Sequence, residues 1–187
     1  MKIFVLTGPT ASGVTTLSEL LLFKDGDMLT PLVSFTTRKK LPQEKEGREY
    51  FFISQEQYLQ LKVKGEIAQE FCYLDKNYGL TRSELAKFEH SNKNGLTAMG
   101  IHGIQALKQF KGEENVISLF VYRDLSAIKE EINQRDIPAL EKEQRFELAK
   151  REMLDIGKAD HVIYNIKTLN DLYQEAIQTI RSVINSR

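Results

Sequence analysis

The amino-acid sequence predicts an α/β protein built on a doubly wound, mostly parallel sheet with helices on both faces. Short apolar runs alternate with longer amphipathic stretches, which is the pattern of strands joined by crossover helices. The first apolar run is followed at once by a glycine-containing turn and a helical pattern. Between residues 32 and 81 the pattern changes to short β-rich segments, which indicates a small lobe inserted into the main body.

The main body is predicted to contain strands that alternate with helices. The strands are expected at residues 3–7, 95–99, 116–122 and 161–164. The helices are expected at residues 15–23, 102–110, 125–135, 143–156 and 169–185. This order predicts one domain over residues 1–187. Its core would comprise residues 1–31 and 82–187, with a short lid at about 135–145 and the inserted lobe at 32–81.

Two segments have local signals of their own. Ser54 and Gln57 form a capping-box pattern for a helix that would reach Lys64 and end at Gly65. Residues 136–140 contain Pro138 between two helical patterns, which makes them a candidate mobile lid. The lobe itself is expected to contain β segments at residues 32–36 and 50–53.

Composition excludes several classes of function. Lysine plus arginine number 26 and aspartate plus glutamate number 26, so no overall positive field attracts nucleic acid. No apolar run approaches the length of a membrane span or a signal peptide, so no membrane partner is expected. Cys72 is the one cysteine and is expected to be a reduced core residue of a cytoplasmic protein. His102 is expected in a polar turn without a ligand role.

The turn after the first strand has the glycine spacing of a Walker A phosphate loop, the P-loop. Backbone N–H groups at such a strand-to-helix turn converge on an anion. Val14 occupies the position where that motif has the lysine that reaches the β- and γ-phosphates, whereas Thr15 keeps the hydroxyl expected to meet Mg²⁺. A plain strand-turn-helix remains the alternative for this segment alone. The proposed ATP-phosphate loop comprises Gly8, Thr10, Ala11, Ser12, Gly13, Val14, Thr15 and Thr16.

Several later motifs follow the loop in a fixed order. They are the stretch 34–38 (SFTTR), the stretch 46–52 (EGREYFF), the turn Asn77-Tyr78-Gly79, Gly103, Arg135, Arg145 and the stretch 160–165 (DHVIYN). Together with the loop, this order resembles the guanylate kinase family of P-loop nucleoside-monophosphate kinases from the first strand to the last helix. The resemblance implies a fold with a monophosphate-binding lobe and a lid, and transfer of a phosphoryl group from Mg-ATP to GMP.

The resemblance also implies roles for individual residues. Ser34, Arg38, Tyr50 and Tyr78 would hold the phosphate of a GMP-like monophosphate, since hydroxyls and a guanidinium donate to anionic oxygens. Arg38, Arg135 and Arg145 would act in catalysis by neutralising phosphoryl charge. On the base side, Gln69 and Thr81 are the candidate ligands; Glu70 replaces Gln69 if the strand contains a bulge.

The sequence departs from the family pattern at several chemically important positions. The departures are Val14 for the loop lysine, Leu41 for a second arginine, Gln69 for a glutamate, Leu80 for a hydroxyl residue, Gly100 for an aspartate and Glu131 for a lid arginine. They predict weak selectivity for GMP and phosphoryl transfer that is impaired or absent. Lys39, Lys40 or Arg48 is a candidate to compensate for the missing charge.

Two hypotheses follow from this pattern. The first is a divergent nucleoside-monophosphate kinase that uses Mg-ATP. The second is a pseudokinase, without a cofactor, that binds a nucleotide or a phosphopeptide as a ligand. Either protein is expected to be a monomer or a homodimer.

Overall fold

A computed structural model describes residues 1–42 and 44–186 of the chain. The strands are β1 Ile3–Thr7, β2 Leu29–Pro31, β3 Phe35–Thr36, β4 Phe51–Phe52, β5 Ile67–Tyr73, β6 Lys76–Thr81, β7 Asn94–Ala98, β8 Val116–Tyr122 and β9 His161–Tyr164. The α-helices are α1 Val14–Lys24, α2 Gln55–Val63, α3 Arg82–His90, α4 Ile101–Lys111, α5 Leu125–Asn133, α6 Ala139–Met153 and α7 Leu169–Asn185. Short 3₁₀ helices cover Glu113–Asn115 and Leu154–Lys158.

The main sheet has the strand order β2-β7-β1-β8-β9, and all its described pairs are parallel. Its central strand, β1, is flanked by β7 and β8 and is almost fully buried. A parallel strand covered on both faces reads as a continuous apolar run, which explains the uninterrupted pattern of β1 and β8. The carboxyl ends of these strands meet at one edge of the sheet, where the phosphate loop begins.

Helices cover both faces of the main sheet, as the sequence predicts. On one face α1 and α7 pack through a cluster that includes Leu17, Leu21 and Leu172. On the other face α3 and α4 contribute Phe88 and Leu107 to a second cluster. The predicted fold class, a doubly wound α/β sheet with helices on both faces, is therefore confirmed.

A second sheet, with the order β4-β3-β6-β5, lies within residues 35–81. Strands β5 and β6 form an antiparallel hairpin joined by Leu74 and Asp75, both at positive φ (47° and 56°). Two residues at positive φ match the right-handed twist of the flanking strands and close the hairpin tightly. The Ser54–Gln57 capping box at the start of α2 is present as predicted.

Several sequence-based predictions were wrong in detail. Helix α3 was not predicted, although Thr81 and Glu84 have the spacing of an N-cap residue and its partner. Helix α6 starts at Ala139 rather than at residue 143, so Pro138 lies at its N-cap and most of the predicted lid is helical. Asn77-Tyr78-Gly79 belongs to strand β6 rather than to a turn.

Two side chains also differ from expectation. Cys72 is exposed rather than buried in the core, because alternation along β5 turns it away from the neighbouring cavity-facing residues. His102 is the second residue of α4 and stacks near Tyr73, with ring centroids 5.1 Å apart. Among the described residues, no helix combines the length and the apolar character needed to cross a membrane.

Candidate functional site

The phosphate loop between β1 and α1 requires glycine at two positions. Gly8 has φ 148° and Gly13 has φ 104°. A Cβ on Gly8 would lie 2.7 Å from the Val121 carbonyl oxygen, and one on Gly13 would lie 2.7 Å from Asn165 Nδ2. The contact at Gly8 is with backbone that cannot move aside, and the positive φ at both positions is unfavourable for other residues, so the tight turn favours glycine at both.

The first turn of α1 presents backbone donors at the end of this loop. Gly13 is the N-cap and has no capping side chain, and the first bond within the helix runs from Leu17 N–H to the Gly13 carbonyl. The preceding N–H groups have no acceptor within the helix, and the helix dipole makes this end positive. Ser12 Oγ is fully buried and has no partner among the described residues. These donors fit an anionic group at the loop.

Val14 has an uncharged, apolar side chain, which packs against the core cluster of α1 and α7. Three side chains from distant parts of the chain hold the loop instead. Asn165 Nδ2 donates to the Ser12 carbonyl at 2.8 Å, and Arg123 Nη1 donates to the Ala11 carbonyl at 2.9 Å. The Thr10 N–H donates to Glu152 Oε2 at 2.9 Å. Burial raises the pKa of the Glu152 carboxyl above its ordinary range.

A cavity of about 220 Å³ lies between the lobe and the N-terminus of α4. Ser34, Tyr50 and Tyr78 all line it. The Tyr50 and Tyr78 rings meet edge to face with centroids 5.8 Å apart, and Ser34 is only 5% exposed. Burial raises the pKa of the Tyr50 phenol to about 12, so the hydroxyl stays protonated and remains a donor at neutral pH. The cavity also has lining from Phe71, Tyr73, Met99, Gly100, Gly103 and Glu152.

Arg38 lies beside this cavity, with its guanidinium 5.4 Å from the centre of the Tyr50 ring. Its Nη1 and Nη2 donate to the two carboxylate oxygens of Glu44 at 2.9 and 2.7 Å, and Nη1 also donates to the Lys39 carbonyl. The hydrogen bonds that Arg38 donates to Glu44 raise the pKa of the guanidinium. The two bonds to Glu44 fix the orientation of the guanidinium. Because a guanidinium has five N–H donors, further donors remain for an anion.

Comparison with known proteins identifies the family of this chain. The family model described as guanylate kinase matches residues 1–187. The chain belongs to the guanylate kinase family. Its relatives include a guanylate kinase of Malacoplasma penetrans, 29% identical over 98% of this chain and 92% of that protein. A guanylate kinase of Mycoplasma genitalium is 32% identical over 91% of this chain and 73% of its own length.

A solved structure supports the same fold. The guanylate kinase from Anaplasma phagocytophilum superposes with a TM-score of 0.68 over 100% of this chain and 87% of that chain, at 22% identity. At that identity the likeness is evidence for the fold alone. Family membership makes this chain guanylate kinase-like, which is consistent with the binding of GMP and ATP.

The base-side residues that the guanylate kinase resemblance singles out are only partly brought together. Gln69 is 9% exposed, and its Nε2 is buried without a partner among the described residues. Gln69, Phe71 and Tyr73 are two residues apart along β5, so their side chains lie on the same face of the strand. Phe71 and Tyr73 line the cavity, and this face is therefore the cavity side. Gly100 lines the cavity, and a Cβ added there would meet nothing within 4 Å.

Glu70 and Thr81 lie elsewhere. The bulge in β5 falls between Ile67 and Gln69, so Glu70 remains on the opposite face. There its carboxylate accepts from the Tyr58 hydroxyl and from Lys62, both at 2.7 Å. The hydroxyl of Thr81 caps α3 by accepting from the Glu84 N–H at 3.2 Å. Neither residue lines the cavity in this arrangement.

The arginines of the predicted lid lie on α6 and in the segment between α5 and α6. Arg145, on α6, pairs with Glu141 one turn earlier at 2.6 Å. Arg135 follows α5 and is partly buried. Glu131, which stands where the guanylate kinase family has an arginine, lies 3.6 Å from Arg123.

Three residues at the cavity or the phosphate loop, Phe71, Glu152 and Arg123, are absent from the residues that the sequence predicts for the site. Phe71 stacks on Tyr78 with centroids 5.2 Å apart. Glu152 follows Arg145 by two helical turns, so helical periodicity alone places both on one face of α6. Arg123 had a weaker signal: it directly follows a buried parallel strand, and the carboxyl ends of such strands point toward the phosphate loop.

Proposed function

We propose that this guanylate kinase family member binds a GMP-type nucleoside monophosphate and Mg-ATP, and that it transfers the phosphoryl group slowly or not at all. The observation that carries the proposal is the convergence of Ser34, Tyr50 and Tyr78 on one cavity beside Arg38. These residues are distant in sequence, and their hydroxyl and guanidinium groups are the donors that a phosphate requires.

In this proposal the monophosphate enters the cavity with its phosphate toward the three hydroxyls. The protonated Tyr50 phenol donates a hydrogen bond, and Arg38 adds its remaining donors after orientation by Glu44. Gln69 is buried on the face of β5 that carries Phe71 and Tyr73, beyond the residues that line the cavity, and its amide is the group proposed to meet a base edge. An amide both donates and accepts, so it distinguishes bases less sharply than a site built only of acceptors.

The phosphate loop fits Mg-ATP, because it combines uncapped backbone donors with the buried, unpartnered Ser12 hydroxyl. The backbone of residues 8–16 would hold the phosphates, and the Thr15 hydroxyl would meet Mg²⁺. When bound, Mg-ATP supplies the phosphoryl group and part of the neutralising charge. Arg135 and Arg145 are the lid residues proposed to neutralise the rest.

Slow transfer follows from the side chain at position 14. Removal of one donor that is directed at developing charge typically lowers the rate by about 10²–10³. The Gly8–Gly13 backbone persists, so binding survives better than turnover. Because catalysis depends on side-chain charge and binding partly on backbone N–H groups, the two functions separate in this chain.

The test is a coupled assay of ADP formation with Mg-ATP and GMP, AMP or IMP, together with a thermal-shift series of the same ligands. A ligand that binds only the folded state raises its apparent stability. We expect GMP and Mg-ATP each to raise the melting temperature, with turnover below about 1 s⁻¹, the lower end for kinases. Faster turnover would establish the active-kinase alternative, and the absence of any shift with monophosphates would contradict the acceptor site.

A further inference from the structure

Arg123 places a guanidinium directly on the phosphate loop. It follows β8, which pairs with β1, so the chain leaves the sheet at the edge where the loop begins. Its Nη1 donates to the Ala11 carbonyl at 2.9 Å, and its side chain is 26% exposed. The residue is therefore anchored to the loop without being sealed from solvent.

The anchoring point lies at the centre of the loop. Ala11 has φ 64°, a left-handed conformation that is unfavourable for alanine. Its side chain packs against the cluster formed by α5 and α6, which includes Ile128 and Ala149. Since Ala11 is fixed by this packing, the guanidinium bonded to its carbonyl is also held at a fixed place beside the loop.

Glu131 is the acidic neighbour of this guanidinium. It lies on α5, 3.6 Å from Arg123 Nη1, and its side chain is 43% exposed. An exposed ion pair of this length contributes little to stability and is readily displaced. A polyphosphate carries several negative charges and matches the planar fork of a guanidinium better than one distant carboxylate does.

We propose that Arg123 supplies the positive charge that the loop lacks at Val14, and that it contacts the phosphates of a nucleoside triphosphate or diphosphate. The inference rests on the proposed ATP-binding role of the loop. Nη1 keeps its hydrogen bond to the Ala11 carbonyl, while the remaining guanidinium donors reach the phosphate oxygens, which replace the Glu131 carboxylate as the neighbouring negative charge. Arg123 is thus a binding residue that acts through its charge, in a different position from the lysine of the Walker motif.

The competing explanation is that Arg123 only braces the left-handed turn at Ala11. A brace would stabilise the loop whatever the ligand, and a charge placed at position 14 would not replace it. If Arg123 contacts the phosphates, the affinity lost on its removal instead increases with the number of phosphates in the ligand. Another cation placed nearby can then restore that affinity. These differences determine the experiment.

The experiment measures the affinities of adenosine, AMP, Mg-ADP, Mg-ATP and GMP by calorimetry for five proteins. They are the wild type, Arg123→Gln, Val14→Lys, the double variant and Arg82→Gln. The last is a matched control, because Arg82 Nε also donates to a backbone carbonyl, that of Gly65, at 2.7 Å in the lobe. Arg123→Lys, which keeps the charge, provides a second variant if the glutamine variant folds poorly.

We expect Arg123→Gln to weaken Mg-ATP binding by about tenfold or more, which is the loss typical of one charge-assisted contact. AMP should lose less and adenosine less than about twofold. Val14→Lys should recover most of the loss in the double variant and should gain less in the wild type, since residues that share one task are not additive. Arg123→Lys, which keeps the charge but not the planar fork, should bind Mg-ATP more weakly than the wild type and more tightly than Arg123→Gln, and Arg82→Gln should change neither ATP nor GMP affinity.

The inference is overturned if Arg123→Gln binds Mg-ATP as the wild type does, if adenosine loses as much as Mg-ATP, or if Val14→Lys brings no recovery. It is also overturned if the wild type binds GMP but no Mg-ATP, a result that leaves the proposed monophosphate site intact. Loss of GMP binding in the wild type would instead contradict the proposed function itself.

Discussion

The phosphate loop and the acceptor cavity, by which we mean the cavity proposed to hold the monophosphate, are built from different groups. The loop presents mainly backbone N–H groups, positioned by Gly8 and Gly13. The cavity presents side-chain hydroxyls from Ser34, Tyr50 and Tyr78. A backbone site survives a side-chain substitution such as valine at position 14, whereas a side-chain site weakens with each residue it loses. Side-chain substitutions in the loop are therefore expected to lower turnover before they lower binding. Side-chain substitutions in the cavity are expected to lower affinity and selectivity first.

The largest effect is expected from Gly79→Ala, which tests whether the cavity depends on the backbone of its lobe. A Cβ on Gly79 would lie 2.2 Å from the Gln69 carbonyl and 2.8 Å from the Phe35 ring, so β5 and β6 must separate. We expect a loss of about 3 kcal/mol in the free energy of unfolding, as for severe overpacking. The melting temperature should fall by about 6–12 °C.

Chemical denaturation measures this loss, and Gly157→Ala is its control. Nothing lies within 4 Å of a Cβ added at Gly157. If Gly79→Ala has the same free energy of unfolding as that control, the close approach of β5 and β6 does not contribute to stability. The cavity would then not depend on the backbone of its lobe.

The second-largest effect is an increase in turnover expected from Val14→Lys in the phosphate loop. Val14→Lys restores a cation where Val14 now packs, and developing charge on the phosphoryl group should be stabilised. We expect kcat/KM for Mg-ATP to rise at least about tenfold, or about 1.4 kcal/mol. Val63→Lys, at an 89% exposed position on α2, adds the same charge elsewhere. Equal effects of the two substitutions would show that the loop does not hold the ATP phosphates.

A smaller effect is expected at the acceptor cavity. Tyr50→Phe removes one hydroxyl donor and leaves the ring packed against Tyr78. We expect the affinity for GMP to fall about five- to tenfold, or about 1 kcal/mol, with little change in Mg-ATP affinity. Tyr58→Phe is the matched control, because the Tyr58 hydroxyl donates to Glu70 on the other face of β5. Both variants are measured by calorimetric titration. If they bind GMP equally well, the Tyr50 hydroxyl does not bind the phosphate, and the proposed phosphate site is rejected.

The smallest effect is expected from Glu152→Gln, through the pH dependence of stability. Burial raises the pKa of this carboxyl in the folded state above that of the unfolded chain, so its ionisation opposes folding. The stabilising contribution of Glu152 is complete below the unfolded pKa and is lost as the pH rises through the folded pKa. Glutamine still accepts from the Thr10 N–H, and it avoids this loss.

We therefore expect Glu152→Gln to melt at a temperature equal to or up to about 3 °C above that of the wild type at pH 7. The difference should vanish as the pH falls toward 4. Glu147→Gln, at an exposed position on the same helix, should show no such pH dependence. A variant that melts below the wild type at pH 7 and not at pH 4 would show that the charge on Glu152 stabilises the loop.

The sequence by itself determined the elements with strong local patterns. Strands β1, β8 and β9 and helix α7 have the predicted bounds, because continuous apolar runs and a sharp amphipathic period specify them locally. The capping box at Ser54 was also foreseen, since cap and partner are three residues apart. The short strands lacked such a signal, and pairing between distant segments decided them, whereas α3 has a local signal in the spacing of Thr81 and Glu84 that was not recognised.

Only the tertiary structure decided which side chains meet. The pairing of Arg123 with Ala11, of Glu152 with Thr10 and of Arg38 with the Tyr50 ring joins elements whose separation in sequence has no fixed relation to their distance in space. The same holds for the exposure of Cys72, which depends on the register of β5 and on what covers each of its faces. The sequence states which charges exist, but burial and proximity decide what each one does, because electrostatic energy depends on distance and surroundings.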